Sequence, residues 1–341
     1  KRTRDHDAQA SMSAMTSSNG RLFYIIDEGP TSLVHEPATW KLVARDAFNG
    51  KLLWKRDVGD WITHLHYFRT GPVQLPRLLV SIEDRVYVTL GFGSPVEVLD
   101  ATTGETLEVF TDTENVEEFV IEDGVLLAVI GEPSSWDGNA PEVADYWTFR
   151  GVPKETSRRV VAVDIDSGET LWNSESLSGA DDSKVIPSTL AIQDDLACWM
   201  DGQKLIGADL RSGEIRWATP FPTRDLIFYS NYSPTLLLHK NIVACLTADR
   251  LAVVNKDNGE LLWEKQGYLG FASPGDLFAI DDLLWTFPVT KAVHLPLQDT
   301  LGGGNLFQAF DIHTGELRQS LKQNDVWPGG HHHRCYRNKA T

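Results

Sequence analysis

Short apolar runs alternate with polar turns along most of this chain. Val160-Val-Ala-Val163 and Leu261-Leu-Trp263 are typical runs, rich in the β-branched and aromatic residues that favour strands. Between two such runs stands an Asp that is followed four residues later by a Gly. The Asp side chain can accept hydrogen bonds from turn amides, and Gly supplies the positive φ with which such a turn ends. The pattern therefore predicts antiparallel hairpins joined by tight turns.

The same hairpin phrase occurs six times, and four copies place a Trp four residues after the Gly. The copies begin at Asp46, Asp100, Asp164, Asp209, Asn255 and Asp311, and the tryptophans are Trp54, Trp172, Trp217 and Trp263. Successive glycines are 45 to 64 residues apart, a period typical of four-stranded propeller blades. The sequence predicts an all-β fold, a β-propeller with six recognisable four-stranded antiparallel blades within residues 11–58, 78–110, 116–173, 188–218, 235–264 and 277–321.

We expect residues 1–341 to form a single propeller domain, because the repeat runs nearly from end to end. Residues 329–341 are expected to start a seventh blade. The chain opens without an initiator methionine and stops where this blade would begin. We therefore expect a fragment of a longer chain, with any signal peptide out of view.

The predicted topology sorts the connections onto two faces. The turns between first and second strands and between third and fourth strands share one face, and all are tight. The loops between second and third strands and the connectors between blades share the other, which we call the expanded face. Its long segments are 28–40, 132–158 and 288–305, with connectors 59–72, 174–187 and 322–333. Large loops on a rigid scaffold usually carry function.

Charge and hydropathy exclude two classes of partner. The chain has 31 Lys and Arg against 48 Asp and Glu, a net charge of −17. Nucleic-acid binding requires a basic surface, so it is not expected. No segment approaches the ~20 apolar residues of a membrane span, so the protein is not expected to be integral to a membrane.

Two of the three cysteines are predicted to be buried free thiols. Cys198 and Cys245 are 47 residues apart, about one repeat, which predicts equivalent strand positions in adjacent blades. Such positions are too far apart for a disulfide. We therefore expect both thiols to behave as small hydrophobic side chains.

Histidines near the end of the chain form a candidate metal site. His331, His333 and Cys335 would align on one side of an extended strand and offer ligands suited to Zn or Cu. His64 and His66, in the connector after the first blade, have the same alternate spacing. The alternative is that these are polar loop residues at the mouth of a channel, or that the run of histidines is incidental. Arg334 and Arg337 could bind a carboxylate, sulfate or phosphate, or be surface charges.

Aromatic residues of the expanded face are candidates for ligand or partner contacts. They could stack on sugars or peptides, or simply pack the large loops. They are Trp61, Tyr67, Trp136, Tyr146, Trp147, Tyr229 and Tyr232. Catalytic residues are not identifiable from the sequence.

The phrase Ala-x-Asp-x-x-Thr/Ser-Gly-Glu-x-x-Trp resembles the repeats of the pyrroloquinoline-quinone-like β-propellers, the quinoprotein alcohol dehydrogenase-like superfamily. The resemblance covers about residues 11–321 and places the four tryptophans at that family's tryptophan-docking position. It implies a propeller fold. It leaves the cofactor open, because the family includes quinone-dependent dehydrogenases as well as cofactor-free propellers of the outer-membrane assembly lipoprotein type.

The dehydrogenase branch, by resemblance, uses a vicinal Cys-Cys disulfide in many members, a calcium held by Glu, Asn and Asp, and a catalytic Asp. This chain has neither a Cys-Cys pair nor a Cys-x-x-Cys-His haem site. Asp137 and Asn139 could supply oxygen ligands, but Asp-Gly-Asn is also ordinary turn chemistry.

The sequence is best interpreted as a binding or scaffold module of the bacterial envelope. By resemblance it is extracytoplasmic, and it would recognise a protein partner or small ligand with the expanded face. The alternative is a redox enzyme, using either pyrroloquinoline quinone with calcium or a transition metal at 331–335.

Overall fold

A computed structural model describes residues 12–29, 39–59, 75–91, 93–131, 157–174, 185–186, 189–202, 204–221, 235–247, 250–266, 277–286 and 306–322. The chain divides into two compact units, Lys1–Pro187 with Arg211–Gly213, and Ser188–Leu210 with Glu214–Thr341. The prediction that 1–341 form one domain stays a prediction. The proposed start of a seventh blade, 329–341, lies outside the described residues.

The first unit contains three four-stranded antiparallel sheets, each built from consecutive strands. Sheet 1 is β1(Met12–Ser18), β2(Arg21–Asp27), β3(Trp40–Asp46) and β4(Leu52–Asp57); sheet 2 is β5(Leu79–Ile82), β6(Arg85–Thr89), β7(Val96–Asp100) and β8(Thr106–Phe110); sheet 3 is β9(Val116–Glu122), β10(Val125–Ile130), β11(Arg159–Asp164) and β12(Thr170–Asn173). Short 3₁₀ turns at Leu75–Leu78 and Thr111–Thr113 precede β5 and β9. Buried residues of all three sheets form one hydrophobic cluster.

The second unit repeats the arrangement in three further sheets. Sheet 4 is β13(Ala191–Gln193), β14(Leu196–Asp201), β15(Lys204–Asp209) and β16(Ile215–Pro220); sheet 5 is β17(Thr235–His239), β18(Ile242–Leu246), β19(Arg250–Asn255) and β20(Leu261–Gln266); sheet 6 is β21(Leu277–Ile280), β22(Leu283–Thr286), β23(Leu306–Asp311) and β24(Leu317–Lys322). The predicted all-β fold class is confirmed: six four-stranded antiparallel sheets are the blades of a β-propeller.

The start of sheet 4 differs from the prediction by three residues. The first strand of sheet 4 was expected from residue 188, but β13 starts at Ala191. The Met200 amide, which would continue the ladder, instead donates to the Thr189 hydroxyl at 3.1 Å. A side-chain acceptor therefore replaces the backbone pair, and the ladder is shortened.

The turn between third and fourth strands has the predicted chemistry. In sheet 2, Asp100 Oδ1 accepts the amides of Thr102 and Thr103, both at 2.8 Å. The Gly104 amide donates to the Asp100 carbonyl at 2.8 Å, and Gly104 has φ +77°. All six repeat glycines, at 50, 104, 168, 213, 259 and 315, have positive φ. The Asp–Gly spacing therefore specifies the turn locally.

The two sets of tight turns lie at the same end of every sheet. The second residue of each third-to-fourth turn donates its amide to a carbonyl of the first-to-second turn, as Ala47 does to Gly20 at 2.8 Å. The other five bonds are Ala101 to Asp84, Ile165 to Gly124, Leu210 to Asp195, Lys256 to Asn241 and Ile312 to Asp282. We call this the turn end of each sheet, and the opposite one the loop end. The predicted sharing of one face by the tight turns is confirmed.

Tryptophans of fourth strands pack on the turn glycine of the following sheet. The Trp54 indole lies against Gly104, and its Nε1 donates to the Ala101 carbonyl at 3.0 Å. Trp217 packs in the same way on Gly259 and donates to the Lys256 carbonyl. Trp263 packs on Gly315 and donates to the Ile312 carbonyl. We call the turn glycine together with this carbonyl an indole socket.

Cys198 and Cys245 are buried and form no disulfide, as predicted. Burial raises the pKa of the Cys198 thiol, so it is a poor nucleophile. The Cys245 thiol lies 3.6 Å from the sulfur of Met200.

The predicted equivalence of the two cysteines is wrong by one residue. Counted from the start of the second strand, Cys198 is third in β14 and Cys245 is fourth in β18. The equivalent of Cys198 is therefore Ala244. Because successive strand residues face opposite sides of a sheet, the two thiols occupy opposite faces of their blades.

Alanine at two turn glycines should separate backbone strain from socket filling. Gly50→Ala should destabilise the protein by about 1 kcal/mol, because φ is +73° but no described atom lies within 4 Å of the new Cβ. In Gly104→Ala the Cβ would lie 2.7 Å from the Trp54 ring, adding about 1–3 kcal/mol. Urea denaturation measures both, and equal losses would contradict the structural role of the indole contact.

The sixth turn should contribute pH-dependent stability. The amides of Thr314 and His313 lower the pKa of Asp311 to about 2, from about 4 in an unfolded chain. Because the folded pKa is depressed, this contribution is fully present above pH ~4 and is lost as the pH falls towards 2. Denaturation at several pH values measures it. Asp311→Asn introduces the side chain that Asn255 has at the same position of the fifth turn. It should reduce the change of the free energy of unfolding with pH, and an unchanged pH dependence would exclude this carboxylate as its source.

Candidate interaction face

The residues predicted to carry function all lie outside the described residues. This holds for the candidate metal ligands His64, His66, His331, His333 and Cys335, for Arg334 and Arg337, and for Trp61, Tyr67, Trp136, Tyr146, Trp147, Tyr229 and Tyr232. Their roles stay predictions. The structure describes the stems from which several of these segments leave the sheets.

A buried carboxylate closes the base of the first long loop. Asp27, at the end of β2, is 9% exposed. Its Oδ1 accepts the amides of Gly29 and Thr39, each at 2.8 Å, and the Glu28 amide donates to the Thr39 carbonyl at 2.9 Å. The two stems of this loop are therefore held together by charge-assisted hydrogen bonds.

Both stems of the long sheet 3 loop are tied to the start of β9. The Gly131 amide donates to the Asn115 carbonyl at 3.0 Å. At the other stem, Arg158 Nε donates to Glu117 Oε2 at 2.9 Å, with side chains 12% and 3% exposed. Only glycine fits at position 131, because the Glu117 side chain occupies the space that a Cβ would take. The stems are thus fixed by one buried ion pair and one backbone hydrogen bond.

A second buried ion pair lies directly beside the first. Glu118 is paired with Arg77 at 2.7 Å, and the two side chains are 0% and 8% exposed. Glu117 and Glu118 are consecutive in β9, at the point where the register with β10 shifts by one residue. Arg77 belongs to the 3₁₀ turn before β5. One strand therefore anchors both the connector into sheet 2 and the stem of the long loop.

These ion pairs were missed in the sequence, although a signal was present. Val116-Glu-Glu-Phe-Val120 puts two consecutive acids inside an otherwise apolar strand. Glutamate is almost never fully buried unless it is paired. The sequence thus implied cationic partners, but it could not identify Arg77 and Arg158, each 41 positions away.

Carboxyl groups with clearly shifted pKa values lie at the turn end in the described part of the chain. The pKa of Asp84 is lowered by its bond from Arg21, and that of Asp100 by the amides of Thr103 and Thr102. Hydrogen bonds also lower the pKa values of four further carboxyl groups, those of Asp164, Asp195, Asp282 and Asp311. These shifts are accounted for by turns and ion pairs, which are structural roles.

No three His, Cys, Asp or Glu side chains are grouped so as to hold a metal ion within the described ranges. Since the predicted ligands fall elsewhere, the Zn or Cu site remains a prediction. In the same described ranges, no helix is long and apolar enough to cross a membrane.

Comparison with known families gives one match over most of the chain. The family described as outer membrane protein assembly factor BamB matches residues 42–282. A comparison with proteins of curated function finds no match.

Solved structures similar to this chain include a BamB and two dehydrogenases. BamB from Moraxella catarrhalis aligns with a TM-score of 0.52 and 14% identity, over 91% of this chain and 74% of that one. A europium-containing methanol dehydrogenase aligns with a TM-score of 0.49 and 13% identity, over 92% of this chain and 69% of that one. The quinohemoprotein alcohol dehydrogenase ADHIIG from Pseudomonas putida HK5 aligns with a TM-score of 0.43 and 13% identity, over 72% of this chain and 41% of that one. At these identities the first alignment supports the fold alone.

Removing one partner of a buried pair should strongly destabilise the first unit. Glu118→Gln deprives the buried Arg77 of its carboxylate and should cost about 3–5 kcal/mol in the free energy of unfolding. Asp282→Asn breaks the exposed pair of Asp282 with Lys240, in which the side chains are 67% and 47% exposed, and should change the free energy of unfolding far less because water screens this pair. Urea denaturation compares the two, and similar losses would show that the buried pair has no special role.

Proposed function

The chain belongs to the family of the outer membrane protein assembly factor BamB, and we propose that it is a binding or scaffold module of the bacterial cell envelope. It recognises a protein partner with the segments at the loop end of its sheets. The family match supports the envelope location, which is outside the cytoplasm. This is the function that the geometry of the sheets supports best.

The single observation that carries the proposal is the anchoring of the loop stems by buried polar groups. Asp27 holds one long loop, and Glu117 with Arg158 holds another. Buried ion pairs contribute little net stability compared with apolar packing, so their role is better understood as fixing geometry. Stems with fixed positions lower the conformational entropy lost when the loops bind a partner.

The composition of the loop segments suits a protein interface. Trp, Tyr and Arg dominate the binding energy of many protein interfaces. The candidate contact residues are Trp61, Tyr67, Trp136, Tyr146, Trp147, Tyr229, Tyr232, Arg334 and Arg337. A small ligand on the same face is the weaker reading, because seven aromatic residues spread over several long segments suit a broad surface.

Site-specific photocrosslinking tests the proposal. A photoreactive phenylalanine analogue at Trp136 or Tyr146 should give one protein adduct of defined mass in the envelope fraction of the source cells. The same analogue at Asp257 or Thr314, in exposed turns at the opposite end of their sheets, should give none. Equal adducts at both sets of positions, or none at the first, would contradict recognition by the loop end.

The same protein preparation distinguishes the redox alternative. Metal analysis and an absorption spectrum should show neither stoichiometric Zn or Cu nor bound quinone. Stoichiometric metal that is lost in His331→Ala and His333→Ala would instead establish the metal site at 331–335 and favour a redox enzyme over a scaffold.

A further inference from the structure

The seam between sheets 2 and 3, where β8 faces the turn from β11 to β12, is closed without a tryptophan. Glu108 stands four residues after Gly104, the position held by tryptophan in sheets 1, 3, 4 and 5. Its side chain lies against Gly168, the glycine of the sheet 3 turn. A carboxylate accepts hydrogen bonds and has no N–H to donate. Glu108 therefore cannot make the bond to the Ile165 carbonyl that an indole would make.

Exposed polar contacts replace the missing bond at this seam. Arg85 Nη1 donates to the Ile165 carbonyl at 3.3 Å and lies 3.6 Å from Asp166 Oδ1. The indole bonds of the filled sockets are shorter, 2.9 to 3.0 Å. The Arg85 and Asp166 side chains are 44% and 84% exposed, so water screens their attraction. The Thr170 hydroxyl donates to Asp112 at 2.6 Å, also at the surface.

The residue six positions after the repeat glycine also differs at this seam. In sheet 1 it is Arg56, which donates to the Gly104 carbonyl at 2.6 Å. In sheet 4 it is Thr219, which donates to the Gly259 carbonyl at 2.5 Å. In sheet 2 it is Phe110, whose side chain has no donor. Two side-chain donors that tie sheet 1 to sheet 2 are thus replaced in sheet 2 by groups that cannot donate to sheet 3.

The first strands of sheets 2 and 3 are held together by buried contacts. Arg77, in the 3₁₀ turn directly before β5, pairs with Glu118 of β9 at 2.7 Å, and both side chains are buried. Buried residues of the two sheets, among them Tyr87, Phe110 and Phe119, belong to one hydrophobic cluster. Breaking a buried ion pair leaves an uncompensated charge, which costs far more than breaking an exposed contact. The seam is therefore strong at the first strands and weak at the fourth strands.

We propose that this seam is a conformational joint, at which β8 separates from the turn and the fourth strand of sheet 3 while the first strands stay packed. Local openings involve the part of a structure that has few buried contacts, and they occur without unfolding of the whole protein. Sheets 1 and 2 provide the internal comparison, because the Trp54 indole closes their seam. The joint lies within the first unit, and it does not depend on the function proposed for the loop end.

Thiol labelling at two matched buried positions measures the opening. Val98 is the cross-strand neighbour of Glu108, and Ala44 is that of Trp54. Their side chains are 1% and 0% exposed, so a cysteine at either position is protected until its seam opens. Val98→Cys and Ala44→Cys proteins are treated separately with N-ethylmaleimide under native conditions, and peptide mass spectrometry distinguishes the new thiol from the three native ones. The thiol at position 98 should react about tenfold faster than the thiol at position 44.

Restoring the indole should close the joint. In the Val98→Cys protein, the further change Glu108→Trp should slow labelling about tenfold, because the indole packs on Gly168 and donates to the Ile165 carbonyl. The same Glu108→Trp change in the Ala44→Cys protein is the matched control. It should leave the labelling rate at position 44 unchanged, since that thiol lies in the seam between sheets 1 and 2.

The reverse exchange should open a seam that is closed in the native protein. In the Ala44→Cys protein, Trp54→Glu should accelerate labelling at least about tenfold, because it removes both the ring and its hydrogen bond to the Ala101 carbonyl. This variant keeps the test decisive if Glu108→Trp does not fold. Urea denaturation of every variant measures the free energy of global unfolding, against which the labelling rates are compared.

Three outcomes would overturn the proposal. These are equal labelling rates at positions 98 and 44, unchanged labelling at position 98 in a folded Glu108→Trp variant, and rates that simply follow the free energy of global unfolding. The last result would show that the reagent reaches the thiols only when the whole protein unfolds, which leaves no separate opening between sheets 2 and 3.

Discussion

The hydrogen-bonded turn from Asp to Gly is the constraint on which the rest of the structure depends. The Asp carboxylate binds two turn amides, and the glycine with positive φ closes the turn and lets a large side chain approach its Cα. In three places within the two units an indole uses that approach and donates a hydrogen bond to the same turn. One local element thus shapes each hairpin and also links it to its neighbour, which is how sheets that are individually marginal become a stable array.

The two ends of each sheet differ in chemistry, and this difference underlies the functional interpretation. At the turn end, ion pairs join neighbouring sheets, such as Arg21 with Asp84 and Lys240 with Asp282, and these pairs are largely exposed. At the loop end of sheet 3, two ion pairs formed by consecutive glutamates of β9 are largely buried, whereas the Lys41–Asp57 and Lys55–Glu28 pairs at the loop end of sheet 1 are more exposed. Exposed ion pairs contribute little to the free energy of unfolding, whereas removing one partner of a buried ion pair lowers it strongly. The stem of the sheet 3 loop and the connector into sheet 2 are therefore held by contacts that tolerate little change.

Repetition makes departures from the repeat informative. Glu108 occupies the position of the tryptophan in sheet 2 and lies against Gly168, so a different side chain fills the same space there. At Arg45, Phe48 and Lys51 the turn between β3 and β4 departs from the other five turns. A repeat protein can change one unit without altering the others, because each unit interacts only with its neighbours.

The sequence by itself determined the strands, the turns and the all-β class, because the Asp–Gly turn and the alternation of apolar residues act over a few neighbouring positions. It identified the thiols as buried and free for the same reason. The sequence also carried a signal that Cys198 and Cys245 face opposite sides, because they are 47 residues apart whereas Gly213 and Gly259 are 46 apart, and a one-residue difference in phase reverses a strand side chain. Only the tertiary structure paired Glu117 with Arg158 and Glu118 with Arg77, and placed the Thr189 hydroxyl at the end of a ladder. These contacts join residues that are distant in sequence, and local pattern carries no information about which distant partner will meet a buried charge. The residues predicted for the metal and aromatic sites belong to long segments without a repeat pattern, and for that reason the periodicity that located the sheets could not position them.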